Sequence, residues 1–407
     1  MNTSVKLSLS LVAALVLAAC GKSEAPAPKA EEKAAAPAPA AEQVVKVGVA
    51  APLTGDQAHL GKDVENGVRL AVDEANAAGL TIGGQKVKLE VVAEDDQHDP
   101  KTATVVAQRL VDAKVVAVIG HMNSGAGIPA SKIYSDAGIQ QISPSMTAVA
   151  YTNQGFKTTF RVMANDGQQG KVLGEYAAKN LKAKNLVVID DRTAYGQGLA
   201  DEVAKAAEAA GAKVSGREFT TDKATDFTAI LTSAKGKKPD VIFYGGMDAQ
   251  GGPMAKQLKS LGITAKFLGG DGIQSPEFIK LAGDAADGAE GSSPGLPLDK
   301  MPGGKGFGEK YKSKFNIDVQ IYAPYAYDAA NVLIDAMKRA NSTDPAKILA
   351  ELPKTTYTGV TGPIAFDEKG DLKNGPVTVY EAKNSAWTPV VTVGGGADIA
   401  APAPEKK

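Results

Sequence analysis

The chain has 407 residues, with 45 basic and 46 acidic side chains, a net charge of −1 and a single cysteine. No basic block lies in its central part, which argues against nucleic acid or an anionic membrane surface as a partner. One cysteine leaves no internal disulfide.

Near the start, Lys6 precedes the apolar run Leu7–Leu17 (LSLSLVAALVL), too short to span a membrane as a mature helix. Residues 1–19 are expected to be a secretory signal peptide. The run ends in Leu17–Cys20 (LAAC), which resembles a bacterial lipobox; the resemblance implies cleavage before Cys20 and lipid on that cysteine. The alternative is an ordinary Ala-x-Ala cleavage site with Cys20 beside it by chance. Residues 20–43 are Ala, Pro, Glu and Lys without an apolar period, the composition of a disordered tether, and residues 397–407 read the same way. Between them stand roughly 350 residues, more than one core usually holds, so two lobes are expected.

Val44–Ala50 (VVKVGVA) is expected as a strand, then an amphipathic helix from near Gly61 to Ala78 with Val64, Val68, Ala71, Val72 and Ala75 on one face. Lys86–Asp96 returns as a strand. Asp99–Ala113 follows as a helix, with Asp99 as cap and Pro100 at the first helical position. Val115–Gly120, Leu186–Asp190 and Val241–Gly246 are continuous apolar runs, the pattern of parallel strands covered on both faces. Helical patterns occupy Gly196–Ala210 and Gln250–Leu261. Two successive β-α series without a sequence repeat predict an α/β chain of two doubly wound lobes.

Ligands of such sheets sit beyond the carboxyl ends of the strands. The loops there are Gly120–Ser131 (GHMNSGAGIPAS), Pro144–Thr147 (PSMT) after Ile139–Ser143, DRTAYGQG with Tyr195, MDAQGG after Val241–Gly246, and DGIQSP with Asp271 after Ala265–Gly270. A last helical segment, Ile321–Leu333, carries several tyrosines. A glycine-rich turn between strand and helix suits an anion: a nucleotide phosphate, a catalytic intermediate or a small carboxylate. The first strand runs into GVAAPLTGD, with neither G-x-G-x-x-G nor a P-loop lysine, and G-x-S-x-G is absent. The histidines, His59, His98 and His121, form no close metal spacing. No catalytic residue, cofactor or metal is therefore assigned, and an enzyme is not expected. His98 reads as a loop residue and His121 as a support for the binding loop.

The ordered set GHMNSG…PAS, ISPSMT, AYGQG, FYGG, LGGDG, YAYDAA and FDEKGDLK, spread from about Val45 to Tyr380, resembles the branched-chain amino-acid binding proteins of ABC importers. Each motif is short; their order and spacing together carry the resemblance. It implies the type I periplasmic binding protein fold, two Rossmann-like lobes joined by a three-crossover hinge and closing on an amino acid. Lobe 1 would take residues 44–163 and 293–376. Lobe 2 would take residues 164–292 and 377–396, including a terminal strand Val377–Ala382.

By the same resemblance, Ser124, Ser145 and Thr147 stand where the family holds the α-carboxylate, and Asp271, in GGDG, where it holds the α-ammonium. Hydroxyls and free N–H groups at helix starts suit a small anion. Tyr195 and Tyr322 match aromatic pocket positions. The side-chain pocket maps onto Leu60, Met122, Asn123, Met146 and Met247. Leu60 and Met247 replace tyrosines of the leucine binder, and Asn123 and His98 replace its two cysteines. This pocket favours an apolar side chain, while His59, Asn123 and Asp248 nearby would accept a polar one. Ser124 and Asp271 also admit plain helix-capping readings, and of Tyr322, Tyr325 and Tyr327 at least one is expected to pack rather than touch ligand.

The resulting expectation is a monomeric, lipid-anchored solute-binding protein, in the periplasm or on the outer cell surface. It would deliver an amino acid to an ABC permease and its ATPase. A lipid-anchored sensor of the same fold, or an importer subunit for amides, urea-like compounds or aromatic acids, is the alternative.

Overall fold

The computed structural model describes residues 42–395; the signal peptide, Cys20 with residues 21–41 of the tether, and the tail of residues 397–407 lie outside the described residues. β1 (Gln43–Ala51), β2 (Thr81–Ile82), β3 (Gln85–Asp95), β4 (Ala117–Gly120), β5 (Gln140–Ser143) and β6 (Thr159–Arg161) form the first sheet, in the order β2-β3-β1-β4-β5-β6. All neighbours are parallel except the two-residue β2. Gln43, assigned to the tether, instead opens β1, and its side chain donates to Thr343 Oγ1 at 3.0 Å. The helices of this lobe are α1 (Ala58–Ala77), α2 (Pro100–Asp112), α3 (Ser124–Asp136) and the short α4 (Ala150–Asn153).

Local chemistry explains the boundaries. Leu60, Val64, Val68, Ala71 and Val72 make up the buried face of α1, with period 3.6. Asp99 caps α2, its Oδ1 accepting from the Thr102 N–H at 2.7 Å, and Pro100 takes the position whose N–H has no helical partner.

The chain then builds the second lobe. Its elements are α5 (Asp166–Lys179), β7 (Asn185–Asp190), α6 (Ala194–Ala209), β8 (Lys213–Phe219), α7 (Thr228–Gly236), β9 (Val241–Gly245), α8 (Asp248–Ser260), β10 (Lys266–Gly269), α9 (Pro276–Ala282) and β11 (Glu290–Ser293). It returns to the first lobe for α10 (Gly304–Phe315), α11 (Ala323–Ala340), α12 (Pro345–Glu351), β12 (Tyr357–Thr358) and β13 (Pro363–Ile364), with α11 packed on α1. It ends as β14 (Val377–Lys383) and β15 (Ala386–Val393), an antiparallel hairpin on the second sheet. That sheet is ordered β15-β14-β11-β10-β9-β7-β8. The chain thus passes between lobes three times.

β15 is absent from the sequence reading because Pro389 interrupts its pattern; as the edge strand it tolerates a residue without an N–H. The parallel cores, β3-β1-β4-β5-β6 and β8-β7-β9-β10-β11, share one winding order. In each, the order reverses beside the first strand, at β1/β4 and at β7/β9, which is where open α/β sheets place their crevice. The loops after these strands face each other across the two lobes.

Candidate functional site

On the first lobe, β4 ends at Gly120, whose φ is +132° and where a Cβ would lie 2.3 Å from the Ala50 carbonyl oxygen. Only glycine fits this turn. The next residue, His121, is fully buried, with Nδ1 2.7 Å from Asp96 Oδ2 and Nε2 3.0 Å from the Tyr134 hydroxyl. It holds the loop from behind, in the supporting position expected of it. Ser124 opens α3, and its hydroxyl accepts from the Ala148 N–H at 3.2 Å. The helix-capping reading of Ser124 is thereby corrected: Asn123 occupies the N-cap position, and Ser124 ties the β4 loop to the β5 loop. Ser145 strengthens the same tie by donating to the Met122 carbonyl at 2.9 Å.

Thr147 lies between two carbonyls held by one cation. Arg161, fully buried, donates from Nη1 to Met146 O at 2.7 Å and from Nη2 to Ala148 O at 3.0 Å. Its Nε donates to Asp371 Oδ1 at 2.5 Å. The Thr147 hydroxyl is buried with no well-aligned partner, and it adjoins the carboxyl of Asp166.

On the second lobe, Asp271 follows β10 and is 1% exposed. Its Oδ1 accepts from the Tyr195 hydroxyl at 2.8 Å and Gln169 Nε2 at 2.9 Å, and its Oδ2 from the Tyr322 hydroxyl at 2.8 Å. A Cβ on Gly270 would lie 2.6 Å from the Tyr195 hydroxyl, so GGDG leaves room for that ring. The capping reading of Asp271 is corrected too: Ser275 caps α9 with its own hydroxyl, accepting from the Phe278 N–H at 3.0 Å.

Two residues in this cluster escaped the sequence reading. Gln169 donates to both Asp271 and Asp166, at 2.9 and 3.1 Å, and accepts from the Ser292 hydroxyl at 2.7 Å. Asp166 is fully buried, and its Oδ2 has no partner among the described residues. Burial and the nearby Asp271 charge push Asp166 up to about 7. Burial also raises Asp271, against the hydrogen bonds of Tyr322, Gln169 and Tyr195 that favour its ionised form. An acid in the first turn of α5 resembles ordinary helix-dipole chemistry in sequence, which concealed Asp166.

Ser124, Ser145 and Thr147 thus stand together at the ends of β4 and β5 on the first lobe, and Tyr195 and Asp271 on the second, with Tyr322 of the first lobe bonded across to Asp271. Asn123, Tyr195 and Met247 line a cavity of about 360 Å³ between the lobes, together with Gln57 and His98. Met122 is 3% exposed, while Leu60 is fully enclosed in the core beside Val64. Tyr322 precedes α11 rather than lying within it; Tyr327 donates to Glu74 at 2.5 Å, a packing role away from this cluster. Among the described residues no cluster of three or more metal-ligating side chains occurs. Two buried carboxylates, one beside the Thr147 hydroxyl, suit a zwitterion rather than a plain anion.

Comparisons with known proteins bear on the family and the fold. The sequence model described as periplasmic binding protein matches residues 44–386. A leucine-, isoleucine-, valine-, threonine- and alanine-binding protein of Pseudomonas aeruginosa is 36% identical over 341 residues, covering 84% of this chain and 90% of the relative. A leucine binding protein of Thermotoga maritima superposes with a TM-score of 0.80 at 31% identity, covering 86% of this chain and 98% of the other. A branched-chain amino acid transporter substrate binding protein of Streptococcus pneumoniae, solved with isoleucine, gives a TM-score of 0.77 at 29% identity, covering 86% and 100%.

Proposed function

This chain belongs to the periplasmic binding protein family, and we propose that it is the substrate-binding subunit of an ABC importer, closing on an amino acid with an apolar side chain. One observation carries the reading: a buried carboxylate pair of the second lobe, Asp271 and Asp166, is bridged by Gln169, and Asp166 adjoins the Thr147 hydroxyl of the first. The α-ammonium lies between the carboxylates, and the α-carboxylate at the hydroxyls and the start of α3. A charge-assisted hydrogen bond contributes about 1.5–3 kcal/mol, so three or four supply the roughly −8 kcal/mol of a micromolar site. Met122, Met146 and Met247 supply an adaptable apolar wall for the side chain. The relatives named for leucine, isoleucine and valine support that preference.

In this reading lobe 1 takes residues 44–163 and 293–376, lobe 2 takes the remainder to residue 396, and closure of one on the other hands the amino acid to a permease. The chain works as a monomer and does no covalent chemistry. No helix among the described residues is long and apolar enough to cross a membrane, and attachment rests on lipid at Cys20. The test is calorimetric titration with leucine, isoleucine, valine, phenylalanine, glutamine and urea. Binding of an apolar amino acid by the wild type, lost in Asp271→Ala, is expected. Binding of urea alone, or of nothing in the set, overturns the reading.

A further inference from the structure

Two of the three histidines in the sequence stand at the cleft. His59, in the first turn of α1, places Nε2 2.8 Å from Oδ2 of Asp248, the first residue of α8 on the other lobe. Asp248 is fully buried; Ser275 donates to the same oxygen at 2.5 Å, and Oδ1 has no partner among the described residues. His98, in the loop between β3 and α2, lies with Nε2 3.3 Å from Asp56 Oδ1 and Nδ1 3.7 Å from Asp222 Oδ2 of the other lobe. The third, His121, is buried, and both its hydrogen-bond partners, Asp96 and Tyr134, belong to lobe 1.

We propose that His59 and His98 form a pH-sensitive latch across the cleft, gripping Asp248 and Asp222 as imidazolium ions in the closed form and releasing them as neutral rings. Burial opposes charge on His59, but the hydrogen bond and charge of Asp248 outweigh it and raise the ring above the ordinary histidine range. The hydrogen bond to Asp56 raises His98 in the same direction, against burial, with Asp222 and Asp96 adding to it. The facing charges are mainly acidic. Around His59 they are Asp248 from α8 and Glu277 from α9, with the Asp56 backbone close by. Around His98 they are Asp56, Asp96 and Asp222, with Asp191 and the one cation Arg192 lining the same cavity. A histidine raised on closure stabilises the closed form fully below its ordinary value near 6.5, and this contribution is lost as pH climbs through the raised value.

The full chain is compared with the His59→Gln/His98→Gln double variant between pH 5.5 and 8.5, with His59→Gln alone as substitute should the double variant not fold. Small-angle scattering of the ligand-free protein reads closure directly. A wild-type radius of gyration smaller at pH 5.5 than at 8.5, with no such change in the variant, is expected. Calorimetry with leucine reads the same latch through affinity and rests on the cleft being an amino-acid site. There the ratio of variant to wild-type Kd should be about tenfold larger at pH 5.5 than at 8.5. Scattering that responds to pH equally, or not at all, in both proteins overturns the latch, as does one fixed affinity ratio across the range. Absence of leucine binding at every pH removes the substrate reading alone, and scattering then decides the latch.

Discussion

The hydroxyl of Tyr322, in the segment that returns to the first lobe, donates at 2.8 Å to Oδ2 of Asp271 on the second. Both side chains are at most 3% exposed. One hydrogen bond therefore joins the lobes at the acid on which ligand charge is expected to fall, so closure and ligand binding share a partner.

Tyr322→Phe removes that bond and leaves the ring. Such a neutral-to-charged bond contributes about 1.5–3 kcal/mol, so the Kd for leucine should rise roughly ten- to hundredfold, with little change in the melting temperature. Calorimetry and a thermal scan of the same preparation check both halves.

Asp271→Asn should behave differently. A buried charge whose partner is gone costs more than a lost hydrogen bond, so leucine affinity should fall by about a hundredfold or more. The ligand-free variant should melt at or above the wild-type temperature, because a desolvated carboxylate no longer has to be buried. A variant that binds leucine as the wild type does would remove Asp271 from the site.

Asp166, pushed up to about 7, binds its proton more tightly folded than unfolded. Between its ordinary value near 4 and about 7 the folded state carries the extra proton, so ligand-free stability falls as pH rises through that window, by at most about 1.4 kcal/mol per unit. Asp191 and Asp328, each at about 6 through burial, slope the same way. The informative quantity is therefore the difference between wild type and Asp166→Asn in denaturant unfolding at pH 5 and pH 8. The variant should show a shallower loss. An ammonium ligand favours the ionised acid, so the stabilisation leucine gives the wild type over that given to Asp166→Asn should grow with pH.

Arg161→Met tests the brace under Thr147. It strips the guanidinium from Asp371 and frees the Met146 and Ala148 carbonyls. Breaking a buried pair from one side costs about 3–5 kcal/mol, seen as a lower denaturant midpoint. Arg161→Lys should not restore it, because one ammonium cannot meet the carboxylate and both carbonyls together.

Cys20→Ser should move the protein from the membrane fraction to the soluble extracytoplasmic fraction, as followed by immunoblotting and palmitate labelling. Retention of label in the variant would exclude lipid at that position.

The local features were legible before any coordinates. Valines at period two in β1, the period-3.6 face of α1, the Asp99–Pro100 start of α2 and the apolar runs of β4, β7 and β9 are properties of short windows, and burial of one face imposes them directly. From their alternation followed two doubly wound lobes, and from the strand-end loops the neighbourhoods of Ser124, Thr147, Tyr195 and Asp271. The partners of those residues were not legible. Gln169 meets Asp271 across 102 positions and His59 meets Asp248 across 189, and no periodicity records such distances. Nothing in the sequence around Asp166 distinguishes it from any acid at a helix start, and only the fold, by burying it beside a second carboxylate, gives it a different chemistry. A window of sequence specifies which face of an element is hidden from water; which polar groups then meet is decided by where the crossovers bring two separately built lobes together, and the low dielectric there sets their charge.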